Sequence, residues 1–189
     1  MNIFVYPYKL SVASRFHNFS DLTEQRDIIS QNQYMKLEIG QPAPAFVLHD
    51  TDKKEIALKD QLGKTTLLLF FPLAFTGVCT KELCSVRDSI AQYNTASAQV
   101  FGISVDSPQT LAKFKAEQGL NFTLLSDFNK EASSAYGAIY DNFIGWMRGV
   151  SKRAAFIVDK EGVIRYAEVL ENAGDLPNFE AIQNILNKQ

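Results

Sequence analysis

The sequence predicts an α/β fold with a mixed central β-sheet and helices on both faces. Two short runs of apolar residues, 67–71 and 100–105, are typical of strands buried on both faces. Each run is followed by a segment with helical spacing of its apolar residues. An antiparallel hairpin and a last helix then close the chain, so the order β, helix, β, helix, hairpin, helix predicts this arrangement.

Length and composition are those of a globular domain. The chain has 189 residues, 46% of them hydrophobic, and a formal net charge of −2. This length suits one domain with a proper core. The charge gives no reason to expect nucleic acid or an anionic membrane as a partner.

The first 34 residues differ in character from the rest. Residues 3–8 are apolar and aromatic apart from Pro7, whereas residues 16–34 are mostly polar and lack sustained periodicity. We interpret residues 1–34 as an extension that is disordered or reflects the choice of start codon rather than as a functional segment. The folded domain is predicted to span residues 35–189. We find neither the basic start and apolar core of a signal peptide nor the ~20 apolar residues of a spanning helix, so we expect a cytoplasmic protein without a membrane partner.

The individual elements follow from local signals. A polar turn at residues 50–54 separates two apolar segments and predicts a hairpin. Pro72 ends the central strand, and Leu83, Val86 and Ile90 form one apolar stripe on a helix that begins near Cys79. Ser107 as N-cap and Pro108 in the first turn begin the next helix. The predicted elements are strands 45–49, 55–58, 67–71, 100–105, 122–125, 154–158 and 163–169, helices from 79, 109–118, 129–136 and 176–186, a turn at 59–63 and a loop at 137–151.

Cys79 falls in the first turn of the helix after the central strand. Unpaired backbone N–H groups and the positive end of the helix dipole favour a thiolate there. The two cysteines of the chain, Cys79 and Cys84, are too few for a secreted disulfide scaffold and indicate thiol chemistry in a reducing compartment. His17 and His49 are too distant in sequence for a zinc site, so we predict no metal.

The predicted element order is that of a thioredoxin-like fold. A reactive cysteine after the central strand would then lie at the carboxyl end of that strand, the edge where open α/β sheets place their sites.

The cysteine segment resembles the peroxiredoxins. Pro72, Thr76 and Cys79 stand in the P-x-x-x-T-x-x-C spacing of that family, and Arg153 precedes the run AAFIVD as the family's distal arginine precedes its strand. The segment FFPLAFTGVC resembles the alkyl hydroperoxide reductase E group, as does LLSD at 124–127. Cys84 instead resembles the second cysteine of the bacterioferritin-comigratory-protein group.

The resemblance implies a thiol peroxidase. Its nucleophile would be Cys79, stabilised as a thiolate by the amides of the first helical turn, by Arg153 and by the Thr76 hydroxyl. Pro72 would keep water from the sulfur. Glu82 either orients Arg153, as the resemblance implies, or is an ordinary first-turn glutamate favoured by the helix dipole.

Two catalytic cycles are compatible with the position of Cys84 in the sequence. On an ideal helix five residues span ~7.5 Å of rise and ~140° of rotation, so the two Cα atoms would lie ~8–9 Å apart, whereas a disulfide needs less than about 7 Å. If Cys84 resolves the sulfenic acid of Cys79, this helix must unwind. If it does not, the protein is a 1-Cys peroxidase recycled by an external thiol.

We expect no bound cofactor, because no G-x-G-x-x-G follows a strand. The electron donor is then an external protein, either thioredoxin-like or, if Cys84 is idle, glutaredoxin-like. The resemblance also implies a homodimer. A redox sensor or a disulfide-exchange module on the same fold are the other function classes, and the second would leave Pro72 and Thr76 unexplained.

Overall fold

The structure is a computed structural model that describes residues 37–188 of the chain. The predicted extension, residues 1–34, and the predicted start of the domain at Met35 lie outside these residues. Within the described range, no helix has the length and apolar character needed to cross a membrane.

The centre of the domain is a seven-stranded mixed β-sheet. The strands of the described chain are β1 (Val47–Asp50), β2 (Glu55–Ala57), β3 (Thr65–Phe70), β4 (Ala98–Ser104), β5 (Thr123–Ser126), β6 (Ile139–Tyr140), β7 (Val150–Ser151), β8 (Arg153–Val158) and β9 (Ile164–Leu170). The order across the large sheet is β2-β1-β5-β4-β3-β8-β9, and β6 pairs with β7 separately. The neighbours β5, β4 and β3 are parallel, while the other pairs are antiparallel, as the sequence predicted for a mixed sheet.

Helices cover both faces of this sheet. In the described residues the α-helices are α1 (Gly77–Asp88), α2 (Ile90–Thr95), α3 (Pro108–Gln118), α4 (Glu131–Ala135) and α5 (Phe179–Leu186), and a short 3-10 helix spans Leu58–Gln61. Side chains of β3 alternate between the faces, because successive residues of a strand point to opposite sides. Leu67 and Leu69 pack with α1, α2, α3 and α5, whereas Leu68 and Phe70 pack with α4 and the hairpin of β1 and β2. The prediction of an α/β fold with helices on both faces is therefore confirmed.

The cysteine helix begins as predicted but ends before the end of its predicted apolar stripe. It begins at Gly77, with Thr76 as N-cap, so Cys79 is the third helical residue and lies in the first turn. The predicted apolar stripe from Leu83 to Ile90 is broken at Ser89, where α1 ends and the short helix α2 follows. Serine favours helix ends because its short polar side chain competes with the helical backbone bonds.

Other elements also differ from their prediction. The segment 137–151, predicted as a loop, contains the two-stranded sheet of β6 and β7. Arg153 is the first residue of β8 rather than the residue before the strand. The last helix begins at Phe179 and not at 176, because Asn178 caps it by accepting the N–H of Ala181 at 3.0 Å.

Candidate active site

Cys79 lies at the carboxyl end of the central strand. The chain leaves β3 at Phe71, turns through residues 72–76 and enters α1, whose first turn carries the cysteine. The side chain is almost completely buried, with 1% of its surface exposed. The sulfur therefore sits at the positive end of a helix and is largely shielded from water.

Arg153 lies within hydrogen-bond distance of this sulfur. Its Nη2 is 3.3 Å from Cys79 Sγ, and the same nitrogen donates to the carbonyl oxygen of Ala173 at 3.0 Å. The contact arises because β8 runs antiparallel to β3, so that the beginning of β8 lies beside the end of β3, with Ala154 opposite Phe70. The sheet topology thus brings together two residues that are 74 positions apart.

Glu82 forms a buried ion pair with Arg153. Glu82 Oε2 accepts a hydrogen bond from Arg153 Nη1, and neither residue has measurable exposed surface. Glu82 Oε1 and Arg153 Nε are buried without a hydrogen-bond partner. Burial raises the pKa of Glu82 from 4.5 to about 7, although the positive charge of Arg153 and its hydrogen bond act in the opposite direction.

This raised pKa predicts a pH-dependent stability. Between pH 4.5 and about 7 the folded protein holds a proton on Glu82 that the unfolded chain releases. Stabilisation from this proton is fully present below pH 4.5 and is lost as the pH rises through about 7, since the folded state binds more protons in that window. The free energy of unfolding should fall by at most ~1.4 kcal/mol per pH unit for one proton.

Urea unfolding of the wild type and of Glu82→Gln at several pH values measures this effect. Glutamine carries no titrating proton, so the difference between the two proteins isolates the contribution of Glu82. If the free energies of unfolding of the two proteins changed in parallel between pH 4.5 and about 7, the prediction would be wrong.

Thr76 and Pro72 both precede Cys79, in the segment between β3 and α1. The hydroxyl of Thr76 donates to the carbonyl oxygen of Leu73 at 2.9 Å, and the residue is exposed. Pro72 is buried. The structure therefore places both residues in the loop before Cys79, with the threonine hydroxyl on a main-chain acceptor.

Cys84 lies five residues further along the same helix. It is partly buried against the core that also contains Cys79, and its Sγ lies 3.8 Å from Gln118 Oε1 on α3. The Arg87 guanidinium donates to the carbonyl oxygen of Gln118, and Asn121 Nδ2 donates to that of Arg87 at 3.3 Å. These contacts attach the second half of α1 to the end of α3 and the residues after it. Both cysteines are free thiols in this structure.

Two groups at the site were not predicted from the sequence. One is the carbonyl oxygen of Ala173, which accepts a hydrogen bond from the same Arg153 Nη2 that contacts the sulfur. The other is the carboxylate of Asp106, which accepts the N–H of Ala74 at 2.7 Å. A main-chain acceptor has no sequence signal. Asp106 does follow a buried strand, but nothing in its sequence position indicates a contact with Ala74.

A buried cysteine at a helix N-terminus, held beside an arginine at the edge of such a sheet, defines a thiol-dependent redox enzyme. The AhpC/TSA family model matches residues 39–167. The chain belongs to this family, and its relatives are peroxiredoxins. The predicted resemblance is confirmed.

Relatives from both expected groups are similar to this chain. Alkyl hydroperoxide reductase E of Mycobacterium bovis is 38% identical over 136 residues, which cover 70% of this chain and 86% of that protein. Peroxiredoxin Bcp of Escherichia coli is 35% identical over 131 residues, covering 69% and 84% respectively. The crystal structure of a peroxiredoxin-like protein from Aquifex aeolicus superposes with a TM-score of 0.75 at 25% identity, over 82% of this chain and 90% of that one.

Proposed function

We propose that Cys79 is the peroxidatic residue of this thiol peroxidase and that it reduces hydrogen peroxide and organic hydroperoxides. The observation that carries the proposal is the 3.3 Å contact between Arg153 Nη2 and Cys79 Sγ at a buried helix N-terminus. A cationic donor and oriented helix amides stabilise a thiolate, which is the nucleophilic form of cysteine.

The oxidation step transfers one oxygen. The Cys79 thiolate attacks the terminal hydroxyl oxygen of the peroxide, the S–O bond forms and the O–O bond breaks. Cysteine becomes a sulfenic acid, and the departing alkoxide or hydroxide takes a proton to give an alcohol or water. Negative charge grows on the departing oxygen, so a fixed donor next to the sulfur lowers the barrier.

The surrounding residues have distinct roles in this proposal. Arg153 donates to the sulfur and to the peroxide, and Glu82 orients its guanidinium through the buried ion pair. The Thr76 hydroxyl binds peroxide after rotation about χ1 releases it from Leu73, since the staggered rotamers of a threonine interconvert readily when it is exposed. Pro72, which is buried, keeps water from the sulfur and offers no N–H that would compete.

Cys84 is proposed to resolve the sulfenic acid. Its thiolate would attack the Cys79 sulfur, form the S–S bond and release hydroxide, which is protonated to water. Because both residues lie on the continuous helix α1, the disulfide requires that part of this helix unwinds. That requirement also supports the second candidate, a 1-Cys cycle in which an external thiol reduces the sulfenic acid directly.

The electrons come from a dithiol protein in either cycle. We infer a thioredoxin-like donor for the disulfide form, a glutaredoxin-like donor for the 1-Cys form, and a cytoplasmic setting in which such donors are reduced. A homodimer is inferred from the family. Trp146 and Phe75 are exposed aromatic side chains, at 75% and 49%. They offer apolar surface for binding the donor protein or a second copy of the chain.

Mass spectrometry after one equivalent of hydrogen peroxide tests the cycle. The proposal predicts a loss of two hydrogens and a peptide linking Cys79 to Cys84. A stable sulfenic acid trapped by dimedone on wild-type Cys79 would support the 1-Cys cycle instead. Unmodified Cys79 beside oxidised Cys84 would contradict the assignment.

A further inference from the structure

A carboxylate from the neighbouring strand holds the loop that leads to Cys79. Asp106 follows β4, and its Oδ2 accepts the main-chain N–H of Ala74 at 2.7 Å. Ala74 lies midway between Pro72 and Thr76 and is 8% exposed. The middle of the loop is therefore tied to the adjacent strand by a charge-assisted hydrogen bond.

Asp106 itself is held by two serines. The Ser104 hydroxyl donates to Asp106 Oδ2 at 2.7 Å and accepts the Asp106 N–H at 3.0 Å. The Ser126 hydroxyl donates to the Asp106 carbonyl oxygen at 2.6 Å. Both serines are buried, at 0% and 6% exposure. The carboxylate is thus fixed in place before it contacts the loop.

The loop has a conformation that needs such support. Phe75 has φ +62°, the left-handed region that bulky side chains rarely adopt. Its ring packs on Phe114, with the ring centroids 5.1 Å apart. Backbone strain of this kind persists only where the surroundings enforce it, and Asp106 supplies the hydrogen bond immediately before the strained residue.

We propose that Asp106 is a positioning residue for peroxide reduction, holding Ala74 so that the loop from Pro72 to Thr76 keeps its conformation where it leads into the helix of Cys79. This inference rests on the proposed function. Attack needs the sulfur in line with the O–O bond, and small displacements of the groups that align a substrate reduce rates strongly. Arg153 reaches the sulfur from β8 and does not depend on this loop.

The test compares two reactions of the same sulfur in the full-length protein. In Asp106→Ala, the second-order rate constant for oxidation by hydrogen peroxide should fall about 10- to 100-fold by stopped-flow measurement. Alkylation of Cys79 by iodoacetamide, mapped by peptide mass spectrometry, should change less than about threefold, because it needs a thiolate but no aligned peroxide. Asp106→Asn should restore peroxide oxidation to within about threefold, since its amide oxygen can accept the Ala74 N–H.

Asp159 provides a matched control. Its buried carboxylate also accepts main-chain N–H groups, from Glu161 at 3.0 Å and Val163 at 2.8 Å, but it follows β8 at the end of the strand opposite Arg153. Asp159→Ala should lose thermal stability while the rate constant for peroxide is kept. Asp106→Ser, which retains a polar group beside Ser104, serves if the alanine variant does not fold.

The outcomes separate this inference from the proposed function. Equal losses in the peroxide and iodoacetamide rates of Asp106→Ala, or an unchanged peroxide rate in folded Asp106→Ala, would overturn the positioning role alone. Failure of wild-type Cys79 to react with peroxide would overturn the proposed function, and this inference with it.

Discussion

Arg153→Met should slow the oxidation of Cys79 by hydrogen peroxide by about a hundredfold or more. The guanidinium is the only side-chain donor that contacts the sulfur among the hydrogen bonds of the described residues, at 3.3 Å. Loss of one fixed donor to a developing negative charge typically costs a factor of about 10² to 10³. Stopped-flow fluorescence or competition with a second peroxidase measures the rate constant.

The same change should also destabilise the fold. Methionine leaves Glu82 buried without its partner, and breaking a buried ion pair by removing one member costs about 3 to 5 kcal/mol. The double variant Arg153→Met/Glu82→Gln removes the orphaned acid. It should recover much of the free energy of unfolding but none of the rate, which separates the chemical role from the structural one.

Lys152 is the control for Arg153. It is the preceding residue and also binds a carboxylate, that of Glu171 at 2.7 Å, but Glu171 is largely exposed. Surface ion pairs contribute little, so Lys152→Met should change stability by less than about 1 kcal/mol and leave the peroxide rate within about threefold. A hundredfold loss in this variant as well would show that the effect of Arg153→Met is not specific to the guanidinium at the sulfur.

Cys84→Ser should abolish the intramolecular disulfide while the first oxidation of Cys79 proceeds at the wild-type rate. In the proposed function peroxide attack involves Cys79 and its neighbours, whereas Cys84 Sγ contacts Gln118 Oε1 of α3 at 3.8 Å. With a thioredoxin-like donor, steady-state turnover of the variant should fall at least about tenfold, because the donor is suited to a disulfide rather than to a sulfenic acid.

Cys79→Ser is the control in that experiment and should consume no peroxide. Undiminished turnover of Cys84→Ser would establish the 1-Cys cycle. Consumption that survives in Cys79→Ser and disappears in Cys84→Ser would reverse the two assignments. Fast oxidation of Cys79 with slow turnover under every donor would favour a redox sensor.

Much of the fold could be predicted because its signals are local. Buried strands such as β3 and β4 are continuous apolar runs, and Ser107 with Pro108 marks the start of α3 where the structure has it. The short elements β6, β7 and α2 were missed. Two to six residues carry too little periodicity to distinguish a strand or helix from a loop.

The site was predictable only as a set of residues. Cys79, Thr76 and Pro72 follow from one motif, but the contact of Cys79 with Arg153 depends on which strand lies beside β3. The direction of the Thr76 hydroxyl is a choice of rotamer, and the hydrogen bond from Ala74 to Asp106 joins two loops. No spacing in the sequence encodes the rotamer of an exposed threonine or a contact between two loops.

Both ends of the cysteine segment are attached to other parts of the domain, by Asp106 at Ala74 and by the hydrogen bonds of Arg87 with Gln118 and Asn121. If α1 opens between these attachments, the two sulfurs remain joined by a short tether whose ends cannot drift apart. Flexible tethers of this length give effective concentrations in the millimolar range. Disulfide formation would therefore be independent of protein concentration, and an external thiol would have to reach similar millimolar levels to intercept the sulfenic acid before Cys84.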